Sequence, residues 1–153
     1  MKLYHYIHTQ EETGNVVYTV SPAKLTNINN YIELTEDDLQ KYELHIRYIE
    51  YCSLSSTGEL TYDSVKVLSS KLERLSFDIN IKVTELRSIL VEATAANKVD
   101  IVNEISQTIK ELMKFINNSD FSGITDIRQI DTITCPELHI DYDLHYRNKI
   151  YGV

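Results

Sequence analysis

Apolar residues recur at steps of three and four along the middle of the chain, which is the spacing of one face of an α-helix. The pattern begins at Ser64, runs for about eight turns and resumes after a short break that contains Asn97. We expect Asn97 to cap the second helix, with Asp100 in its first turn. So short a connection makes the helices antiparallel neighbours, and residues 64–117 are predicted to form a helical hairpin. The first apolar stripe comprises Val65, Leu68, Leu72, Leu75, Ile79, Val83, Leu86, Leu90 and Ala93, and the second comprises Val102, Ile105, Ile109, Leu112 and Ile116.

The first helix of this hairpin is apolar on more than one side, whereas the second has a single stripe. Phe77, Ile81, Ile89 and Val91 lie off the main stripe of the first helix, so one partner helix cannot cover them. The cover that this pattern requires is a strand of the same chain, a second copy of the chain, or a foreign protein. Phe77, Ile81 and Ile89 are therefore candidate partner-binding residues.

Short stretches rich in aromatic and β-branched residues precede the helical hairpin. Residues 3–8 and 16–20 flank the turn residues Thr13-Gly14-Asn15, and this arrangement predicts a β-hairpin. Alternation along its first strand places His5 and His8 on opposite faces, so they are not a ligand pair.

A further strand and a capped helix are predicted to follow. Residues 30–34 fit a short strand, and Thr35 supplies a hydroxyl that caps a helix from residue 36 to the mid-forties. Ser56-Thr57-Gly58 predicts the turn of a second β-hairpin, although residues 45–51 also fit a continuation of the helix.

The C-terminal segment alternates apolar and polar residues, which is the pattern of half-buried strands. From Leu138 to Tyr146 the even-numbered positions are apolar and the odd-numbered positions after Glu137 are polar. The alternation predicts a strand with Tyr142 and Tyr146 on its apolar face. These two tyrosines complete the set of candidate partner-binding residues.

Together these elements predict an α+β fold: β-hairpins and short strands packed on a long antiparallel two-helix hairpin, with a C-terminal β-strand segment. The length of 153 residues fits one domain. Within residues 1–153 we expect a β-rich part with a short helix at 1–62, the helical hairpin at 64–117 and strands at 121–153.

The polar face of the predicted C-terminal strand carries the residues that best fit metal ligands, His139, Asp141, Asp143 and His145. Residues two apart on a strand are separated by about 6.6 Å, so the four could not all bind one ion. The alternative interpretation is a solvated strand face.

Neither the cysteines nor the glycines indicate catalysis. Cys52 and Cys135 have no second cysteine nearby, and neither lies at a helix N-terminus or a glycine-supported turn that would lower its pKa. We interpret both as buried reduced thiols. The sequence contains no GxGxxG, GxxxxGK, GxSxG or HExxH motif. We therefore expect neither enzyme activity nor a cofactor.

The formal net charge of −8 disfavours nucleic acid as a partner, because affinity for phosphates comes from Lys and Arg. The sequence has no apolar run near the roughly 20 residues that span a bilayer, and its first ten residues lack the apolar core of a signal peptide. Eleven tyrosines without a tryptophan suit partner surfaces. We expect a cytoplasmic protein that binds other proteins and not a membrane.

Three segments carry a family resemblance: Met1-Lys2-Leu3-Tyr4-His5-Tyr6, Asn30-Tyr31-Ile32-Glu33-Leu34-Thr35-Glu36 and Glu92-Ala93-Thr94-Ala95-Ala96-Asn97-Lys98. The first is similar to the start of bacteriophage tail fibre assembly proteins of the T4 type. The third resembles the turn between the two C-terminal helices of that family, and the second is similar to a strand-then-helix phrase of phage tail proteins. The likeness covers about half of the chain. The chain lacks the Trp and Pro usual in the middle of the family, and its predicted strands after residue 120 extend past the family pattern.

The resemblance implies a chaperone that helps a trimeric tail fibre to fold or assemble through contact surfaces and not through a reaction. The uncovered face of the first helix and the tyrosine-bearing strands would then bind the fibre, in the cytoplasm of the host cell. The alternative is another phage interaction protein, either a virion component or an acidic inhibitor of a host factor. Association of the chain with itself is a further expectation.

Overall fold

The structure is a computed structural model that describes residues 1–28 and 30–152. Its chain divides into two compact units. Unit 1 contains Met1–Ser69 and Thr125–Thr132, and unit 2 contains Ser70–Ile124 and Ile133–Val153. Val153, the last residue of the predicted C-terminal strands, lies outside the described residues. The strands are β1 (Tyr4–Thr9), β2 (Val16–Ser21), β3 (Tyr31–Leu34), β4 (Cys52–Leu54) and β5 (Leu60–Tyr62), and the helices are α1 (Glu36–Lys41), α2 (Glu43–Arg47), α3 (Ser64–Ala95), α4 (Val99–Asn118), α5 (Ile127–Asp131) and α6 (Tyr142–Tyr151).

Unit 1 contains a three-stranded antiparallel sheet in the order β2-β1-β3, which confirms the first predicted hairpin and the strand that follows it. In its register, Ile7 of β1 lies opposite Tyr18 of β2 and Ile32 of β3. Tyr6 and Ile7 point to opposite faces of β1, and both are buried. Both faces of the central strand are therefore covered.

The two histidines of β1 lie on opposite faces, as predicted. His5 Nδ1 is 2.5 Å from the hydroxyl of Tyr18, and His8 Nε2 is 2.8 Å from the hydroxyl of Thr19. Each imidazole is therefore engaged with a neighbouring strand.

The first helix of unit 1 begins at the predicted cap. The Thr35 hydroxyl accepts a hydrogen bond from the Asp38 amide at 3.3 Å, and the Asp38 carboxylate accepts one from the Thr35 amide at 3.0 Å. This capping box satisfies two backbone donors at the start of α1. The predicted helix is divided into two short helices, α1 and α2, which are interrupted at Tyr42, and α2 ends at Arg47.

The second predicted hairpin is formed by β4 and β5. Its turn contains Gly58 at a φ of +81°, a left-handed conformation that glycine adopts without steric cost. The Ser55 amide closes the turn by donating to the carbonyl of Glu59 at 2.9 Å. Leu54 and Leu60 then pack against a buried cluster of unit 1 that comprises Ile7, Val16 and Leu34.

The predicted helical hairpin is confirmed by α3 and α4. Asp63 starts α3, because its carboxylate accepts hydrogen bonds from the amides of Val65 and Lys66. Val65 is exposed, contrary to its place in the predicted stripe, and Val67 is buried instead. The buried core of the hairpin comprises Ile79, Val83, Leu86, Ile89, Ala93, Ile101, Ile105 and Leu112.

The prediction that Asn97 caps α4 is wrong, because Asn97 ends α3. Its φ is +55°, its amide donates to the carbonyl of Thr94 at 3.1 Å, and the Lys98 amide donates to the carbonyl of Ala93 at 3.0 Å. These two bonds form a Schellman motif, in which a left-handed residue satisfies the last carbonyls of a helix. Asn is favoured both at helix starts and in left-handed stops, so its presence alone does not distinguish the two roles.

The predicted C-terminal strands are wrong, because this part of the chain forms α5 and α6. The Asp141 carboxylate accepts a hydrogen bond from the amide of Leu144 at 3.1 Å and so starts α6. Gly152 ends α6 with a φ of +71°. These end signals decide the structure over the alternation of apolar and polar residues.

The buried residues of α6 are four apart, which is a helical spacing hidden within the alternation. Tyr142, Tyr146 and Ile150 are buried, whereas Leu144 between the two tyrosines is 61% exposed. A strand would place Tyr142, Leu144 and Tyr146 on one face. The helix separates Leu144 from its neighbours.

Within unit 2, α6 covers part of the helical hairpin. The rings of Tyr142 and Tyr146 are stacked with centroids 6.0 Å apart, and both residues belong to the hairpin core. Arg147 Nε donates to Glu92 Oε2 of α3 at 2.7 Å, and the hydroxyl of Tyr146 lies 3.2 Å from that of Thr108 in α4. The additional cover that the sequence required is thus supplied partly by the same chain, as a helix and not as a strand.

Replacing Tyr146 or Leu144 by Ala tests this arrangement of α6. We expect Tyr146→Ala to lower the free energy of unfolding by about 3 kcal/mol, because a buried ring is lost, and Leu144→Ala to change it by less than about 0.5 kcal/mol. Urea denaturation of both variants measures the difference. Equal losses would contradict the helix, because a strand buries both side chains on one face.

Candidate contact surface and the cleft around His45

A row of uncharged residues on α3 is exposed to solvent on the side away from the hairpin core. Its members recur at steps of four and three over about five turns, so they line one face of the helix. Phe77 is 65% exposed, Ile81 52% and Val91 70%. Single exposed apolar residues are ordinary, but a periodic row of them is informative. We call this row the α3 stripe; it comprises Phe77, Ile81, Thr84, Ser88, Val91 and Ala95, all exposed.

Charged residues of α3 and α6 border the α3 stripe on one side. Arg147 bonds to Glu92 and also pairs with Asp143, and Lys82 pairs with Glu85 at 3.6 Å. Glu92 has a lowered pKa, because it accepts hydrogen bonds from Arg147 and from the hydroxyl of Tyr151. The Glu92 carboxylate is therefore ionised and already hydrogen-bonded within unit 2.

Of the five candidate partner-binding residues, the structure leaves two exposed. Phe77 and Ile81 belong to the α3 stripe, whereas Ile89, Tyr142 and Tyr146 are buried within unit 2. The assignment of these three to a contact surface is wrong. Ile89 lies on the core side of α3, and the two tyrosines pack inward because α6 is a helix.

The four candidate metal ligands do not lie in a row. His139 ends a 3-10 turn, with its Nε2 3.4 Å from the Thr134 hydroxyl, and Asp141 caps α6. Asp143 pairs with Arg147, and His145 contacts the ring of Tyr146 edge-on. Within residues 1–28 and 30–152, no three His, Cys, Asp or Glu side chains are grouped so as to hold a metal ion.

Unit 1 contains a cleft that the sequence did not indicate. Its volume is about 550 Å³, within the range of small-molecule sites. The walls come from α1, α2 and β5 and from α5, which lies far from the other three in the sequence. No local pattern marks such a convergence. The cleft is lined by Gln40, Lys41, Tyr42, Glu43, Leu44, His45, Arg47, Tyr62, Asp126, Ile127, Arg128 and Asp131.

His45 is the titratable group that burial perturbs in this cleft. Its ring lies between those of Tyr42 and Tyr62, each in edge contact at a centroid distance of 5.5 Å. His45 Nδ1 is buried, and no hydrogen-bond partner for it lies within the described part of the chain. Burial lowers the pKa of His45, because the charged imidazolium would lose water without gaining a partner. The imidazole is consequently neutral at neutral pH.

Both arginines that line the cleft are paired with carboxylates. Arg47 donates to Asp131 at 2.8 Å and to Glu43 at 3.2 Å, and Asp131 also accepts from the hydroxyl of Tyr48. Arg128 pairs with Asp126 at 3.0 Å. The hydrogen bonds raise the pKa of both guanidinium groups further above its usual range. A ligand would have to compete with these pairs.

The two thiols are buried and reduced, as predicted. Burial raises the pKa of Cys52 to about 11, and its Sγ donates to the carbonyls of His45 and Tyr48 at 3.6 Å. Burial, reinforced by the nearby Glu137 carboxylate, raises the pKa of Cys135 to about 11 as well. Neither thiol forms the thiolate that a nucleophile requires at neutral pH.

Comparisons with known proteins add no relative: the chain matches no family model, no curated protein and no solved structure. Across the described residues, no helix is both long enough and apolar enough to cross a bilayer. The geometry of the α3 stripe and of the cleft is therefore the basis for a functional proposal.

The lowered pKa of His45 predicts a loss of stability in mild acid. Below the ordinary pKa of 6.5 the unfolded chain takes up a proton that the folded His45 resists, so stability falls as the pH decreases. Replacing His45 by Phe, which keeps the ring between Tyr42 and Tyr62, should reduce this fall.

Thermal unfolding of wild type and His45→Phe, from about pH 7.5 to about pH 5, measures the effect. The control is His139→Gln, which changes an exposed histidine outside the cleft and leaves His45 in place. An undiminished fall in stability in His45→Phe would show that other groups cause it.

Proposed function

We propose that this protein acts by protein–protein contact, as an assembly chaperone for a bacteriophage tail fibre. The observation that supports contact is the α3 stripe, with Phe77, Ile81 and Val91 exposed along one face of a helix whose opposite face is buried. Burying such side chains against a partner removes apolar surface from water, a gain of about 25 cal/mol per Å². The core side of α3 holds the stripe rigid, so little ordering cost accompanies binding.

The resemblance to tail fibre assembly proteins supplies the identity of the partner. The three similar segments lie at the start of β1, at the junction of β3 with α1, and at the Schellman turn that ends α3. The helical pair that the family resemblance implies is present as α3 and α4. The proposal places the protein in the host cytoplasm during fibre assembly.

A second candidate is an acidic inhibitor of a host factor or a virion component, which the net charge of −8 favours. Such a protein would bind a basic surface and would leave fibre folding unaffected. Mass spectrometry of purified virions and affinity capture of one host protein distinguish these two forms of the candidate.

Coexpression with the tail fibre of the same phage tests the chaperone. We expect soluble trimeric fibre in the presence of the wild-type protein and aggregated fibre in its absence. The double variant Phe77→Ser with Val91→Ser should reduce the yield of soluble trimer to the level without the protein, because it removes apolar contact area.

The matched control is Val65→Ser with Val99→Ser, which changes two valines that are equally exposed but lie outside the stripe. This control should retain full activity. Soluble trimer forming equally well without the protein would refute the chaperone, and full activity of the stripe variant would refute the assigned surface.

A further inference from the structure

We propose that the α3 stripe is the seam of a parallel dimer, in which α3 of one copy packs along α3 of a second copy. This inference deepens the proposed function, on which it rests only in taking the stripe as a contact surface. The second copy is favoured because the stripe has the spacing of a coiled-coil seam and because its charged borders complement each other.

The spacing of the stripe is that of a heptad repeat. Ile81, Ser88 and Ala95 occupy the first core position of the heptad, and Phe77, Thr84 and Val91 occupy the second. All six side chains are exposed and none is charged, so two copies of α3 can approach along this face. The stripe ends before Phe77, because the preceding core position holds the charged Arg74.

The two borders of the stripe differ in charge. Exposed Arg87 lies on one border, and the other carries Glu92 with Asp143 and Arg147 of α6. With Asp78, Glu85 and Lys82, which lie on the same side, that border has four carboxylates and two cationic groups, so its formal charge is −2. One border is thus basic and the other acidic.

This asymmetry determines the direction of pairing. In a parallel dimer each border meets the opposite border of the other copy five residues along, so Arg87 faces Glu92 of the second copy, twice by symmetry. Asn80 likewise faces Glu85 of the second copy. The like-charged pair of Glu73 with Asp78 of the second copy falls at the outer end, where the seam stops.

An antiparallel dimer would bring equal borders together. With Ile81 layered on Val91 of the second copy, Arg87 would face its own equivalent and Glu85 its own equivalent. Asp78 would face Glu92 of the second copy. Each of these contacts joins like charges, which is unfavourable at close range. The charges therefore select the parallel arrangement.

The α6 helix widens this surface. Leu144 and Tyr151 are both 61% exposed, and they lie one turn on either side of Arg147, which bonds to Glu92 beside the stripe. Together with the six residues of the stripe they make eight side chains, fewer than the roughly 20 to 30 residues on each side of a standard interface. The dimer is therefore weak and can release the stripe to another protein partner.

Sedimentation equilibrium of the full chain, from about 10 µM to about 500 µM, suits a dimer of this strength. We expect a monomer–dimer equilibrium in wild type and a dissociation constant raised about tenfold or more by Val91→Ser. Val65→Ser is the matched control, because Val65 is 72% and Val91 70% exposed on the same helix and only Val91 lies in the stripe. Arg87→Glu and added salt should also weaken the dimer.

Disulfide cross-linking tests the direction. Ile81→Cys should cross-link to itself in a parallel dimer, whereas in the antiparallel layering its two copies are about 15 Å apart along the axis. A mixture of Ile81→Cys and Val91→Cys chains that cross-links only between the two variants would overturn the parallel arrangement.

Monomeric wild type at every concentration would overturn the seam, and so would a dimer that Val91→Ser leaves intact. If either result is found and the solubility of the fibre still depends on the protein, the dimer is refuted and the chaperone proposal is not. A parallel dimer with no effect on the fibre supports the seam and refutes the chaperone.

Discussion

The covering of α3 is the constraint on which unit 2 depends. A helix of 32 residues exposes its whole circumference unless other elements pack around it, and this chain supplies α4 and α6 for its C-terminal two thirds. Those two helices bury the side of α3 that contains Leu86 and Ile89. The side that contains Phe77 and Val91 stays exposed, so the surface of unit 2 follows from which side of α3 was covered.

The sequence was most informative where a pattern was long or where a cap was specific. The 3–4 repeat of α3 and α4 extended over many turns, and Thr35 with Asp38 formed the predicted cap. The prediction of strands in the C-terminal segment was wrong for a physical reason. A row of five apolar residues at every second position also contains the four-residue step of Tyr142 and Tyr146, and ten residues are too few to separate the two periods. Asp141 and Gly152, the start and stop of α6, were the signal that favoured a helix.

The two surfaces differ in how far sequence could indicate them. Phe77 and Ile81, which are exposed, were predicted as partner-binding residues because they lie off the main apolar row of their own helix, which is a local property of the sequence. Ile89 also lies off the main predicted apolar row of α3. It is buried because α6 packs on the helical hairpin, so the buried side of α3 contains more than one row of residues. The cleft around His45 depends on α2 and α5, which are about 80 residues apart, and no local pattern encodes that proximity. The neutral, half-buried imidazole is thus a tertiary property of unit 1.

The short α5 belongs to unit 1 although the chain on both sides of it belongs to unit 2. Arg47 donates a hydrogen bond to Asp131, and the hydroxyl of Tyr62 accepts one from the Ile127 amide. Arg47 and Tyr62 are synthesised before the helical hairpin, whereas Asp131 and Ile127 are synthesised after it. Unit 1 is incomplete in any nascent chain that ends before α5. When α5 has been synthesised, unit 2 still lacks α6. Neither unit is finished before the other has begun, so a single cut cannot release either one intact. The cleft is therefore completed only after α3, which carries the α3 stripe, has been synthesised.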